Sequence, residues 1–356
     1  MSVVKEIPIQ NIYYLLCYAW NRLEERDIVA VSGIDSTSIV DLFAKVLIGG
    51  ISHLLKRGFD RGYLDLVEDT RCLKGKLLFD PTLKRNLLIK AQVRCEFDEL
   101  SYNVLHNQIL KATLRCLIGA ENIDSELKNQ LIGLLRRFHE IDDIVLNATL
   151  FTRVQLHRNN AFYDFLIKIC ELIFDNLLAS EKPGKSKFRD FFREDRRMAR
   201  LFEDFVRNFY KLEAPAFHVK SEDIFWGLRD LDEESKSILP KMVTDISIES
   251  DHSKVVIDTK FYREALKKHY DKEKIHAANI YQIFAYLKNL EKRGGVNQHC
   301  TGVLLYPTVE TPIHFDTMLD NYHKLIVHTL DLNQDWQSIH NDLINLIQIA
   351  VGDINA

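Results

Sequence analysis

Val243-Thr244-Asp245-Ile246-Ser247-Ile248, a polar turn from Glu249 to Ser253, then Val255-Val256-Ile257-Asp258-Thr259-Lys260-Phe261 decide how this chain reads. Side chains alternate between the two faces of a strand, so Asp258 and Lys260 share a face. The short turn suits an antiparallel hairpin, and pairing its strands brings Asp245 beside Asp258. Two neighbouring carboxylates repel and are costly to desolvate unless a cation lies between them. Mg²⁺ takes oxygen ligands, and an ion so held can polarise a phosphodiester and activate water. A lysine alongside can orient or deprotonate the attacking water and neutralise charge on the phosphate. Asp-x-Lys alone is common and usually a surface ion pair. The wholly apolar run before Asp258 and the acid one strand earlier set this one apart.

Working outward, the period of apolar residues predicts a helix over Met198–Leu212 ahead of the hairpin, and a strand over Phe217–Ile224. The first arm of the hairpin extends over Met242–Ile248 and the second over Lys254–Phe261. A long helix follows over Lys272–Leu290, then strands at Gly302–Tyr306 and Lys324–Leu330, and a last helix at Trp336–Val351. The first half is mainly helical: Ile12, Leu15, Leu16, Ala19 and Leu23 recur at helical spacing, and Ile39–Leu55 is amphipathic. From Tyr63 to Val93, short apolar runs alternate with Gly58, Gly62, Gly75 and Pro81, as in strands and turns inserted between helices. Helical spacing returns over Ser101–Leu117, Glu126–Phe138 and Ala161–Leu178. Asp98 and Glu99 read as charges before a helix that starts near Ser101. The fold class is α+β, with a boundary near residue 155 between a mostly helical part, 1–155, and a mixed sheet flanked by helices, 156–356.

Hydrophobic residues make up 46% and charged residues 28% of 356 residues, enough apolar material for a sizeable core. The net charge of −4 argues against stand-alone nucleic-acid binding, so any grip on DNA falls to a local patch or a partner. The six cysteines are scattered, without metal-ligand spacing, which suits reduced thiols in a cytoplasmic protein. No secretory signal and no membrane-length apolar run is legible.

Several motifs read as decoys. Ala179-Ser180-Glu181-Lys182-Pro183-Gly184-Lys185-Ser186 approaches a phosphate-binding loop, but it lacks the first glycine, follows a helix, and Pro183 removes an N–H the cradle needs. The cations from Lys185 to Arg200 suit either DNA phosphates or a solvated loop, given the interleaved Asp190, Glu194 and Asp195. Tyr13, Tyr14, Tyr18 and Trp20 recur at helical spacing, which points to core or partner packing rather than base stacking.

The segment Thr244-Asp245 … Val256-Ile257-Asp258-Thr259-Lys260-Phe261-Tyr262 resembles the PD-(D/E)xK nuclease superfamily, with Thr244 standing where the usual proline would be. That resemblance implies that Asp245 and Asp258 hold Mg²⁺ with help from the Thr259 carbonyl, and that Lys260 serves the water. It implies a further acid on the upstream helix, where Glu203 stands, and a supporting residue on the following helix, where Gln282 and its neighbour Tyr281 stand.

The opening Ile7-Pro8-Ile9-Gln10-Asn11-Ile12-Tyr13-Tyr14-Leu15-Leu16-Cys17-Tyr18-Ala19-Trp20 is similar to the start of McrC proteins. So are Leu73-Lys74-Gly75-Lys76-Leu77-Leu78-Phe79, Cys95-Glu96-Phe97-Asp98-Glu99-Leu100-Ser101 and Asn107-Gln108-Ile109-Leu110-Lys111. This resemblance implies a nuclease subunit whose residues 1–155 form a stalk inserted into an McrB-like AAA+ GTPase hexamer, stimulating its GTP hydrolysis. It implies GTP bound by that partner, double-stranded DNA carrying modified cytosine as substrate, and pairing of nuclease domains for double-strand cuts. The alternative is an adaptor that assembles and activates the ring without cutting.

Overall fold

The computed structural model describes residues 7–22, 39–121, 123–156, 160–179, 186–188, 195–228, 233–261, 267–269, 272–308 and 312–352. Packing divides the chain into two units: α1 (Ile9–Ala19) belongs with everything from Asp190 onward, and Val40–Arg189 form the other. These units are discontinuous in sequence, where the sequence reading drew one cut near residue 155.

The Val40–Arg189 unit opens on α2 (Ile39–Arg57), and β1 (Gly62–Thr70) follows it. Next come β2 (Lys76–Leu77), α3 (Phe79–Lys84) and a single tight turn at Leu87–Lys90. β3 (Val93–Ser101) then pairs with β1 along its whole length, from Gly62 opposite Ser101 to Thr70 opposite Val93. β2 lies on the outer side of β3. Asp98 and Glu99 therefore sit within a strand, not before a helix. Asp98 stands opposite Asp65, and the hydrogen bond the two carboxyls share raises its pKa. Helix α4 (Leu105–Ile118) starts only after this strand.

α5 (Ser125–Leu135), α6 (Ala148–Arg153) and α7 (Ala161–Asn176) complete the helical layer. Tyr163 ties α7 to α4 and to the chain just before β1: its hydroxyl donates to Asn107 Oδ1 and accepts from the Asp60 N–H, both at 2.9 Å. β4 (Leu177–Ala179) and β5 (Ser186–Phe188) form a short antiparallel pair. The glycine and lysines of the phosphate-loop decoy lie between them, outside the described residues, as do the basic-run positions 189–194.

The second unit carries α8 (Asp195–Glu213), β6 (His218–Lys220), β7 (Asp223–Ile224), α9 (Glu233–Ile238), β8 (Met242–Val243), β9 (Ile246–Glu249) and β10 (Lys254–Thr259). After a small pair, β11 (Lys267–His269) and β12 (Lys272–Lys274), come α10 (Ala277–Glu291), β13 (Thr301–Thr308), β14 (His314–Met318), β15 (Lys324–Asp331) and α11 (Trp336–Val351). Six strands form one mixed sheet in the order β14-β15-β13-β10-β9-β6, with β10, β13 and β15 parallel. Every residue of β10 is buried, as expected of a central parallel strand covered on both faces. Val256, Leu304, Tyr306, Leu325 and Val327 pack under Ile283, Leu287 and Leu290 of α10.

α8, α11 and α1 form the other layer. Tyr18, Phe205, Phe209 and Trp336 interlock there, and the Tyr18 hydroxyl donates to Glu213 at 2.6 Å. Tyr13 and Tyr18 are fully buried, as their helical spacing predicts.

Two predicted elements differ in extent. The expected helix from Lys272 begins only at Ala277, because Lys272-Glu273-Lys274 offers no apolar stripe to bury and instead pairs with Lys267–His269. The expected strand over Met242–Ile248 is broken at Thr244-Asp245. Thr244 donates its N–H to Glu222 O at 3.0 Å and its hydroxyl accepts from Glu222 N–H at 3.1 Å. A proline here could not donate, so threonine at this position is explained by the fold.

α10 packs tightly over Gly302, where an added Cβ would fall 2.8 Å from Ile283 and 2.9 Å from Leu287. Gly302→Val is expected to destabilise the protein by about 1–3 kcal/mol through overpacking, read as a lower denaturant midpoint at unchanged slope.

Candidate metal centre

The two arms of the sequence hairpin meet as predicted. Ser250 N–H donates to Ser253 O at 2.9 Å to close the turn, and Ile246 pairs with Ile257, Ser247 with Val256 and Ile248 with Val255. Continuing that register one step places Asp245 across from Asp258. The break before β9 frees the Asp245 side chain to reach back along β10, where its Oδ2 accepts from the Thr259 N–H at 2.8 Å and the Thr259 hydroxyl at 2.9 Å. Lys260 leaves the strand with its N–H bonded to Leu305 O at 2.9 Å, so its backbone remains tied to β13.

Asp258 is fully buried, with its Oδ2 2.7 Å from Lys260 Nζ. Its Oδ1 has no hydrogen-bond donor. Burial pushes the Asp258 pKa up to about 7, Lys260 opposes this, and the charges of Asp245 and Glu203 add to it. Glu203, on α8, is also raised, first by burial and then by Asp245, with Arg207 opposing. Three carboxyl groups from three elements therefore feel one another across a partly dry site. A buried carboxylate oxygen without a donor costs several kcal/mol unless it is protonated or bound to a cation. The residues present fit a hard divalent ion: oxygen donors, excess negative charge and an orphaned acceptor.

Sequence reasoning missed one contributor, Arg207, and noted another, Tyr286, only as a neighbour of Gln282 without a role. Arg207 stands one turn beyond Glu203 on α8; its guanidinium donates to Glu203 Oε1 at 3.0 Å and to the Asp245 carbonyl at 3.3 Å, and pairs with Asp204. Tyr286 stands one turn beyond Gln282 on α10; it donates to the Val243 carbonyl at 2.9 Å and accepts from Gln282 Nε2 at 2.7 Å. Its pKa is raised by burial, and the charges of Asp258 and Asp245 reach it. The i,i+4 spacing from an expected site residue was the available signal in both cases. Gln282 thus joins the rim of the cluster through Tyr286, whereas Tyr281 is 71% exposed on the same helix.

A mixed sheet between helical layers, with an acid–acid–lysine cluster where a central strand ends, defines an α+β protein with a candidate metal centre. A sequence profile of the McrBC 5-methylcytosine restriction system component family matches residues 9–307, and the chain belongs to that family. The chain is 29% identical over 340 residues to the type IV methyl-directed restriction enzyme EcoKMcrBC of Escherichia coli (strain K12), covering 96% of this chain and 97% of the relative. In fold it is similar to a refined half-complex from a tetradecameric assembly of Thermococcus gammatolerans McrB AAA+ hexamers with bound McrC. That match has a TM-score of 0.63 and 17% identity, and covers 96% of this chain and 76% of the other. Among the described residues no helix is long and apolar enough to cross a membrane.

Proposed function

We propose that this chain is the DNA-cutting subunit of a GTP-dependent restriction complex directed at modified cytosine, a PD-(D/E)xK nuclease that works with an AAA+ GTPase partner. The observation that carries the reading is Asp258, buried beside Lys260 with a carboxylate oxygen lacking any donor and a second acid, Asp245, across the strand. Asp245, Asp258 and Glu203, with the Thr259 carbonyl, would hold Mg²⁺, which when bound supplies Lewis-acid polarisation of the scissile phosphate. Thr259 aims Asp245 through its N–H and hydroxyl. Arg207 restrains Glu203 and the backbone of Asp245, so both acids are oriented before DNA arrives. Lys260 holds the attacking water and offsets charge developing on the phosphate. Gln282 and Tyr286 brace the wall formed by Val243, and exposed Tyr281 is available to nucleic acid.

Partner engagement falls to the part of residues 1–155 that follows α1, chiefly the small sheet and the turns beside it. Leu73, Phe79, Leu83, Leu88 and Ile89 are all more than half exposed there, and large apolar side chains grouped in water favour a protein partner. The GTP is bound by that partner, and a double-strand cut calls for two nuclease domains or two successive cuts.

The test is reconstitution of the chain with its AAA+ GTPase, GTP, Mg²⁺ and a cytosine-methylated plasmid, beside an unmethylated one. Cleavage confined to the methylated plasmid is the expected outcome. Stimulated GTP hydrolysis with neither plasmid cut would replace this reading by that of a non-cutting adaptor.

A further inference from the structure

At the far end of the same sheet lies a second cluster that the cutting reaction does not use. β10, β13 and β15 run parallel, with Thr301 opposite both Val255 and Lys324. His323, just before β15, is therefore about four residues, roughly 13 Å, back along the strands from the level of Asp258.

His323 is fully buried, and its Nδ1 lies 3.2 Å from the Cys300 carbonyl. A carbonyl can only accept, so Nδ1 carries a proton there and Nε2 is the ring nitrogen turned toward the carboxylates. Nε2 is buried with no hydrogen-bond partner and sits 3.5 Å from Glu291 Oε2. Asp320, in the turn between β14 and β15, completes the group: one ligand atom each from Glu291, Asp320 and His323 lie within 4.8 Å of one another. The N–H groups of Tyr322 and His323 donate to Asp320 Oδ1 at 2.8 and 2.7 Å and hold its carboxylate in place. Lys288 Nζ contacts Asp320 at 3.1 Å and Glu291 as well, with its side chain 36% exposed.

We propose that Glu291, Asp320 and His323 form a second divalent-cation site, suited to Zn²⁺, in which Lys288 stands in for the ion when none is bound. An imidazole whose other nitrogen is fixed by a backbone carbonyl is the usual setting of a metal-binding histidine. Imidazole with two carboxylates favours a borderline ion such as Zn²⁺ over Mg²⁺, which keeps to oxygen donors and water. Tetrahedral coordination at about 2.0–2.1 Å needs the ligand atoms to close only modestly, with a water in the fourth position. Lys288 can swing into solvent on its flexible stem, so a doubly charged ion replaces a singly charged one. Such an ion would pin the end of α10 to the β14–β15 turn and stabilise the sheet edge without entering the cutting chemistry.

The experiment is calorimetric titration of the chelator-stripped full chain with Zn²⁺ in excess Mg²⁺. One equivalent should bind to the wild type and equally to Asp258→Asn. Asp320→Asn and His323→Gln should each weaken binding tenfold or more, and Lys288→Met should tighten it by a comparable factor. Absence of Zn²⁺ binding in the wild type would overturn the site. So would unchanged affinity in Asp320→Asn, or binding lost with Asp258→Asn. If His323→Gln fails to fold, Asp320→Asn and Lys288→Met decide the matter, since both alter partly exposed side chains.

Discussion

Asp258→Ala is expected to abolish DNA cleavage in the reconstituted complex while leaving assembly with the GTPase and its stimulation intact. Asp258 is the buried acid beside Lys260 and across from Asp245, so its loss removes a central ligand of the proposed ion. A bound metal contributes several kcal/mol of transition-state stabilisation, and losing about 4 kcal/mol of it lowers the rate roughly a thousandfold. The measurement is plasmid linearisation rate beside GTP turnover for the same preparation. Cutting at the wild-type rate would falsify the site assignment, whereas loss of both activities would point to a folding defect. Lys260→Ala separates the roles further: it leaves the carboxylates in place and should slow cutting by removing the group that serves the water.

The same carboxylate should make the metal-free protein less stable as pH rises. Its pKa lies at about 7, above the ordinary 3.8, chiefly because burial penalises the charged form. A carboxyl that holds its proton more tightly when folded adds stability below its unfolded pKa. That contribution is lost as pH climbs from about 4 to about 7. In chelator at pH 8, Asp258→Asn, which is neutral at every pH, should therefore unfold at a higher temperature than wild type. The full shift corresponds to about 4 kcal/mol, an upper bound because Lys260 and water relieve part of the burial cost. A gain of roughly 5–10 °C is a reasonable expectation for a unit of this size. At pH 5 the gap should be much smaller, and Mg²⁺ at pH 8 should raise the wild type alone. Equal melting in chelator at both pH values would mean that the buried carboxylate is not the strained group described here. Together the two variants test a trade in which the residue most needed for cutting is one the fold holds at a cost.

What the sequence by itself determined follows from local physics. The last helix runs over Trp336–Val351 as the apolar period predicts, and α2 and the buried tyrosines of α1 follow the same rule. The hairpin that sets Asp245 against Asp258 was legible because a short turn and two alternating strands leave one sensible register.

What only the tertiary structure decided depends on partners distant in the chain. All of β14 is exposed and shows no apolar alternation; it is a strand because β15 offers it a free edge. Asp98 and Glu99 belong to a strand because β1 pairs with them from more than thirty residues away. The break at Thr244-Asp245, which turns Asp245 toward Thr259, comes from hydrogen bonds to Glu222. α1 packs on α8 although about half the chain separates them, since burying Tyr18 against Phe205, Phe209 and Trp336 outweighs closing a long loop. Glu291, Asp320 and His323 share no motif; parallel strands joined by crossovers bring their ends together, and spacing along the chain carries no trace of that.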